Sequence, residues 1–320
     1  MRRGPVLAAA VLVAACEAVV PATSPVPPQR PARVEATAPT PPARASAPAP
    51  SAESREAAAL YARVERRLLA QGLLRRDGGG ADTAYDAATL ARNFERIALY
   101  AEYVEVDGRY VAQQAPTRLK RWPGPVRIEL HFGASVDPAV RAADAARLAR
   151  YADRLAAATG HPISVVEAGG NFHVHVVSTD EQRRLGPWLA RSAPGLSGAT
   201  VAQITTPEPA VTYCAVYVFA LATDPDAYMS AVAVIPSEHP DLMRLACYHE
   251  ELAQALGLDN DSPNARPSIF NDDEEFALLT GHDEKLLRIL YDPRLRAGMA
   301  AAEARPIVRA IAEELVGGPS

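Results

Sequence analysis

The stretch CYHEELAQALGLDND, residues 247–261, determines how the rest of the chain is interpreted. Its apolar spacing predicts a helix that ends at Gly257, and the pair His249-Glu250 resembles the start of a zinc-binding helix. Such a helix needs two histidines four residues apart, because that interval puts both imidazoles on one face. The residue four positions after His249 is Ala253. The visible His-Glu pair is therefore not a zinc motif.

If the motif is taken to start at Glu250 instead of His249, the spacing of a zinc-binding helix is present, but with side chains other than histidine. Glu250 and Gln254 then lie four residues apart, Glu251 stands beside the first as a general base would, and Asn260 follows Gly257 by three positions. Carboxylate and amide oxygens suit calcium or magnesium better than zinc. We therefore expect these residues to line a cleft with no zinc and no other cofactor. The alternatives are a calcium site, or a solvated helix face for Glu250 and Gln254.

The flanking sequence predicts a mixed α+β domain at 119–320. Five strand-like runs lie at 122–132, 162–168, 171–178, 211–221 and 230–236, with a backing helix at 137–160 and the central helix at 241–258. Two shorter helices are expected at 283–291 and 301–315. Upstream, residues 53–118 predict an N-terminal helical layer with helices at 53–74 and 86–103.

The amino terminus predicts export and lipid attachment. Residues 1–15 combine two arginines with a short apolar run, and Val13-Ala14-Ala15-Cys16 resembles a bacterial lipobox. We expect Cys16 to be acylated and to bind the lipid bilayer, which places the domain in the bacterial cell envelope, facing the periplasm. An ordinary secretory signal is the alternative. Residues 16–52, rich in proline and alanine, predict a disordered tether.

Charge and cysteine content limit the possible partners and the possible covalent links of the domain. A net charge of -5 over 320 residues argues against nucleic acid as a partner. With Cys16 assigned to lipid, Cys214 and Cys247 form an even pair in an oxidising compartment, which predicts a disulfide, two buried thiols being the alternative. On one strand, His173 and His175 alternate on a single face, either as exposed histidines or as a pair of metal ligands. The acidic run DDEE at 272–275 predicts a solvated loop, with calcium binding as the alternative.

The central helix and its surroundings resemble the metzincin metalloproteases, most nearly the matrixin branch, over roughly residues 120–292. The resemblance implies a zincin-like fold with Glu250, Gln254 and Asn260 in the three ligand positions and Glu251 in the position of the base. In RPSIF, Phe270 stands where that family carries a methionine beneath the metal, so the resemblance implies that Phe270 is a fifth residue of the cleft. The interval from Leu279 to Tyr291 also follows the matrixin ending.

Three further segments, RNFERIAL, RPSIFNDDEEFALLT and LYDPRLRAGM, resemble a bacterial lipoprotein family known as domain of unknown function 2927. That family carries the Glu-Glu-x-x-Gln form of the helix, and it implies no activity.

Two functional hypotheses follow. The first is a membrane-anchored lipoprotein whose non-catalytic domain binds a peptide or an envelope component, or acts as a scaffold. The second is a metal-dependent peptidase with Glu250, Gln254 and Asn260 as unusual ligands and Glu251 as base.

Overall fold

The structure is a computed structural model that describes residues 49–193, 196–271 and 273–317. The described residues belong to one compact unit. The predicted signal peptide, Cys16 and most of the predicted tether lie outside the described residues. Within the described part, no helix is long and apolar enough to cross a membrane.

The N-terminal region contains the two predicted helices and, in addition, a hairpin that was not predicted from the sequence. The helices are α1 (Ala52–Ala70) and α2 (Ala87–Ala98), and the hairpin strands are β1 (Tyr100–Val106) and β2 (Arg109–Pro116). The predicted helix 86–103 is therefore wrong beyond Ala98. The turn explains the difference, because Asp107 and Gly108 both adopt positive φ, at 50° and 72°, as a two-residue hairpin turn requires.

A mixed five-stranded sheet forms the centre of the domain and confirms the α+β prediction. Its strands are β3 (Val126–Phe132), β4 (Ile163–Val166), β5 (Phe172–Val177), β6 (Ala215–Leu221) and β7 (Asp224–Pro236). The order is β4-β3-β5-β7-β6, in which every neighbouring pair is parallel except β6 with β7. The antiparallel strand β6 therefore forms one edge.

Helices cover both faces of this sheet. Following the chain, they are α3 (Pro138–Thr159), α4 (Thr179–Gln182), α5 (Gly186–Ser192), α6 (Gly198–Ile204), α7 (Asp241–Gln254), α8 (Gly281–Leu290) and α9 (Ala301–Val316). The main core unites alternate strand residues such as Ile128 and Val174 with Leu148 of α3 and Leu252 of α7. On the opposite face, Val232 packs in a smaller cluster formed with α5 and α6.

The C-terminal end of α7 is fixed by side chains from distant parts of the chain. Trp122 donates its Nε1–H to the carbonyl of Ala255 at 2.7 Å, and the Tyr291 hydroxyl donates to the carbonyl of Leu256 at 3.0 Å. These bonds satisfy carbonyls that the helix leaves unpaired. Gly257 then adopts φ +117°, and a Cβ there would overlap the carbonyl oxygen of Lys120. The predicted sharp turn at Gly257 therefore requires glycine, which has no Cβ.

A disulfide joins Cys214 to Cys247, with the two Cα atoms 6.0 Å apart, and confirms the predicted pair. It connects the residue before β6 to the middle of α7. The edge strand and the central helix are thereby linked covalently beside the cleft that both help to form.

Candidate binding cleft

A cavity of about 820 Å³ lies beside α7. Its walls come from the hairpin strand β1, the edge strand β6, the last turn of α7 and the loop that follows Gly257. The residues that matter for its chemistry are Glu102, Tyr103, Glu105, Lys120, Tyr217, Glu250, Glu251, Gln254, Asp259, Asp261 and Glu274. Three of the five predicted cleft residues, Glu250, Glu251 and Gln254, are among them.

The cavity is strongly acidic. Seven of its lining side chains are carboxylic acids, whereas Lys120 is the one basic side chain among the lining residues that the structure describes. Its Nζ lies 3.7 Å from Asp259 Oδ2, which also accepts a hydrogen bond from the Tyr228 hydroxyl at 2.5 Å. Lys120 thus forms an ion pair with Asp259. The lining that the structure describes therefore carries a large excess of acidic over basic side chains.

This crowding changes the protonation of the two glutamates on α7. Burial, together with Asp261 and Glu102, raises the pKa of Glu251 to about 8, and a backbone hydrogen bond from Val216 opposes the rise. Only 4% of Glu251 is exposed. Burial followed by the charges of Asp261 and Glu251 raises the pKa of Glu250 well above its usual range. Around neutral pH Glu251 therefore retains its proton to a large extent, and the pKa of Glu250 is shifted in the same direction.

Asn260 does not line the cavity. It is fully buried, and its Nδ2 donates to the carbonyls of Arg96 at 2.9 Å and Asp261 at 2.8 Å. The bond to Arg96 holds Asn260 to the C-terminal end of α2. Asp261 lines the cavity instead, where Gln254 Nε2 lies 3.5 Å from its Oδ1. The spacing that pointed to Asn260 thus identified the correct loop, but the side chain facing α7 is the next one along.

Two other residues singled out in the sequence belong to the core. Phe270 is fully buried in the main hydrophobic cluster and does not line the cavity. The His249 ring stacks on Tyr151 at 3.9 Å, and its Nδ1 accepts a hydrogen bond from the Leu279 N–H at 3.0 Å. The histidine of the visible His-Glu pair therefore points away from the cleft.

A second polar cluster occupies the opposite face of the sheet, on β3 and β5. His131 Nε2 lies 3.0 Å from His173 Nδ1, and Glu129 reaches both rings. His175, the other histidine noted in the sequence, is 3% exposed and stacks on His131. Histidine, cysteine, aspartate and glutamate side chains can bind metal ions. Among those that the structure describes, Glu129, His131 and His173 form the one group of three or more whose possible ligand atoms all lie within 4.8 Å of one another.

Comparison with known proteins gives one match. Residues 87–310 match the family model described as Protein of unknown function (DUF2927). The chain belongs to this family. Neither the curated proteins nor the solved structures contain a match. The DUF2927 region includes α2, the hairpin, the whole sheet and α7, so both polar clusters lie inside the family domain.

Sequence reasoning missed several acidic residues of the DUF2927 cleft. Glu102 lies on a strand that was predicted as helix, and Glu274 belongs to an acidic run that was interpreted as a solvated loop. That run divides in the structure, because Glu274 lines the cavity whereas Glu275 pairs with Arg75 and Arg266. Asp272 is outside the described residues. The one local signal was the acidic sequence after Gly257, which includes Asp259 and Asp261.

Proposed function

We propose that this protein is a cell-envelope lipoprotein, anchored through Cys16, whose acidic cleft binds an extended basic peptide segment without cleaving it. The observation that carries the peptide part of the proposal is the position of the cleft along β6, the edge strand of the sheet. An edge strand presents backbone donors and acceptors on its unpaired side. An extended chain can therefore add to it as a further strand.

Apolar side chains at the cleft support a peptide rather than an ion as the occupant. Tyr103, Val211 and Leu221 all line the cavity, and they are 45%, 78% and 52% exposed. Large apolar side chains that stay exposed in a group often mark an interaction site. A peptide can cover such side chains with its own, whereas a single calcium ion cannot.

The charge of the cleft favours a basic segment. A guanidinium or ammonium group placed among the carboxyl groups would favour their ionised forms, so binding would lower the pKa values of Glu250 and Glu251 and release protons. The affinity should consequently rise with pH as these two groups lose their protons. Arginine is the better partner over this range, because it stays charged and can bind a carboxylate with two parallel hydrogen bonds.

Several features support a metzincin-like ancestry for the domain. The backing helix, the mixed sheet and the central helix occur in the order that the resemblance implies. In addition, the buried Asp283 on α8 accepts hydrogen bonds from the Ser268 hydroxyl and the Ile269 N–H at 2.5 and 3.1 Å. It thereby fixes the turn that carries Phe270, the residue in the methionine position.

Zinc, which the metzincin resemblance implies, does not fit the residues in the ligand positions. Asn260 is directed at α2, where its amide donates hydrogen bonds, and Gln254 offers an amide oxygen, a poor zinc ligand. The cavity lining that the structure describes contains no histidine, and its one cysteine, Cys214, is in the disulfide. Without a zinc ion to activate a water molecule, Glu251 would have no nucleophile to deprotonate. Peptide binding without hydrolysis is therefore the function we propose.

The proposal is tested with the full chain and a fluorescently labelled extended peptide that contains several arginines. Fluorescence anisotropy at pH 6 and pH 9 should show binding that strengthens by about tenfold, which corresponds to one pKa unit of coupling. A matched peptide with glutamate in place of arginine should not bind. Glu250→Gln should weaken the pH dependence, whereas Glu313→Gln, at an exposed position on α9, should not.

Mass spectrometry of the incubated peptide separates binding from catalysis. An intact peptide after prolonged incubation, with and without added divalent cations, is the expected result. Absence of binding, equal binding of the glutamate peptide, or metal-dependent cleavage would each contradict the proposal.

A further inference from the structure

Three side chains on the sheet face opposite α7 have the arrangement of metal ligands. In the parallel pair β3 and β5, Glu129 lies beside His173, and His131 lies beside His175. These residues point away from the main core, because their neighbours Ile128, Leu130 and Val174 are the ones packed in it or against it. The pleat therefore gathers one carboxylate and three imidazoles on one small area.

The separations between donor atoms suit a tetrahedral ion. His131 Nε2 and His173 Nδ1 are 3.0 Å apart, and each lies near a Glu129 oxygen, at 3.7 and 4.0 Å. A tetrahedral zinc site with bonds of about 2.0–2.1 Å has donor atoms separated by roughly 3.3 Å. The His131–His173 separation is thus within about 0.3 Å of the required spacing, whereas the contacts to the two Glu129 oxygens exceed it by about 0.4 and 0.7 Å. Closing the site requires a side-chain rotation that brings one Glu129 oxygen closer to both imidazoles.

The surroundings hold these side chains in place. The Gly170 N–H donates to Glu129 Oε2 at 2.9 Å, and a Cβ at Gly170 would come within 2.5 Å of the Glu129 Cβ. The His175 ring stacks on His131 with centroids 4.5 Å apart. Trp188 of α5 sets its ring edge-on to His131 and His173 at 5.3 and 4.9 Å. Such supporting contacts orient the ligands of metal sites.

Solvent nevertheless reaches the three side chains. The exposed fractions of His131, Glu129 and His173 are 24%, 19% and 14%. The cluster is therefore neither a fully buried hydrogen-bond network nor a set of freely solvated side chains. An ion could therefore enter from solvent without unfolding the sheet.

We propose that Glu129, His131 and His173 form a binding site for one divalent transition metal ion of the zinc class. Imidazole favours such ions over calcium and magnesium, and two imidazoles with one carboxylate give a common zinc ligand set. The site is separate from the acidic cleft, because none of its ligands lines that cavity and β7 lies between β5 and the edge strand. It is independent of the proposed peptide binding.

The first experiment titrates Zn²⁺ into the metal-free full chain by calorimetry. The wild type should bind one equivalent, and His131→Ala and His173→Ala should each weaken binding by at least about tenfold, since even supporting residues of metal sites contribute that much. His161→Ala is the matched control, because His161 lies outside the cluster and bonds the carbonyl of Gly124. Circular dichroism verifies that each variant folds. No zinc binding by the wild type, or unchanged binding in both folded cluster variants, would overturn the proposal.

A second measurement does not depend on the histidine variants. Cu²⁺ quenches nearby indole fluorescence, and Trp188 lies beside the ligands whereas Trp122 lies in the main core on the other face. One equivalent of Cu²⁺ should quench the wild type, and Zn²⁺ should compete with it. In Trp188→Phe the same addition should leave the remaining Trp122 emission nearly unchanged. Equal fractional quenching in the two proteins would contradict a site at this position.

Discussion

The buried carboxyl of Glu251 should make the free protein less stable as the pH rises, and Glu251→Gln should remove much of that loss. The pKa of Glu251 in the folded protein is about 8, against an ordinary value of 4.5. Between these two values the folded chain holds a proton that the unfolded chain has released. Folding stability must then fall with increasing pH, by about 1.4 kcal/mol per pH unit for one such group.

The magnitude follows from the width of this interval. From pH 5 to pH 8 the loss attributable to Glu251 is on the order of 3 to 4 kcal/mol, a large fraction of the stability of a typical domain. The group is almost wholly buried, so screening by solvent reduces the effect little. Glutamine has nearly the same shape, and its amide oxygen can still accept the hydrogen bond from Val216. The variant should therefore be more stable than the wild type at pH 8 and similar at pH 5.

Urea unfolding of both proteins at pH 5, 6.5 and 8 measures this difference directly. Glu313→Gln removes a carboxylate from an exposed position and controls for the change in net charge. Its unfolding free energy should follow that of the wild type at each pH. The reasoning would be refuted by a wild-type stability that stays constant or increases from pH 5 to 8, or by a Glu251→Gln curve parallel to the wild-type curve.

Three further predictions concern the scaffold and the anchor. Replacing both Cys214 and Cys247 by alanine should lower the unfolding free energy by roughly 3 to 4 kcal/mol, since the bridge closes a loop of 33 residues; an unchanged melting temperature would contradict this. Asp144→Asn should cost roughly 2 to 3 kcal/mol in urea unfolding, because Arg244 Nε lies 2.7 Å from the buried Asp144 Oδ2 and would keep only the exposed Asp241 as a charge partner; a loss below about 1 kcal/mol would show that the pair matters little. Cys16→Ser should move the protein from the membrane fraction to the soluble fraction, and retention in membranes would argue against acylation at this residue.

Local sequence patterns predicted most of the fold. Strand alternation, the long helix that Gly160 ends and the central helix all agree with the structure, because each depends on a period that neighbouring residues display. The disulfide was predictable from the even number of remaining cysteines and the expected oxidising compartment. The hairpin was missed because its apolar residues could be spaced as a helix, although the Asp107-Gly108 turn was visible in the sequence.

The composition of the cleft was only partly predictable. The sequence placed Glu250, Glu251 and Gln254 together, because positions one turn apart on a helix must share a face. It could not decide between Asn260 and Asp261, since a loop has no fixed period and the choice depends on the hydrogen bonds that Asn260 makes to α2. Glu102 could not be predicted as a cleft residue for a similar reason, because it lines the cavity from a hairpin that is distant from α7 in the chain.

The sequence by itself determined the class of the domain, the course of its main elements and the chemistry available on α7. Only the tertiary structure decided which side chains meet. Strand order placed Glu129 and His131 beside His173, although more than forty residues separate the two strands along the chain. Strand order also placed β6 at the edge of the sheet. The packing of α7 directs the His249 side chain toward Tyr151 in the core. Contacts between elements depend on packing, which no local pattern encodes, and burial then sets the pKa of each carboxyl that the packing encloses.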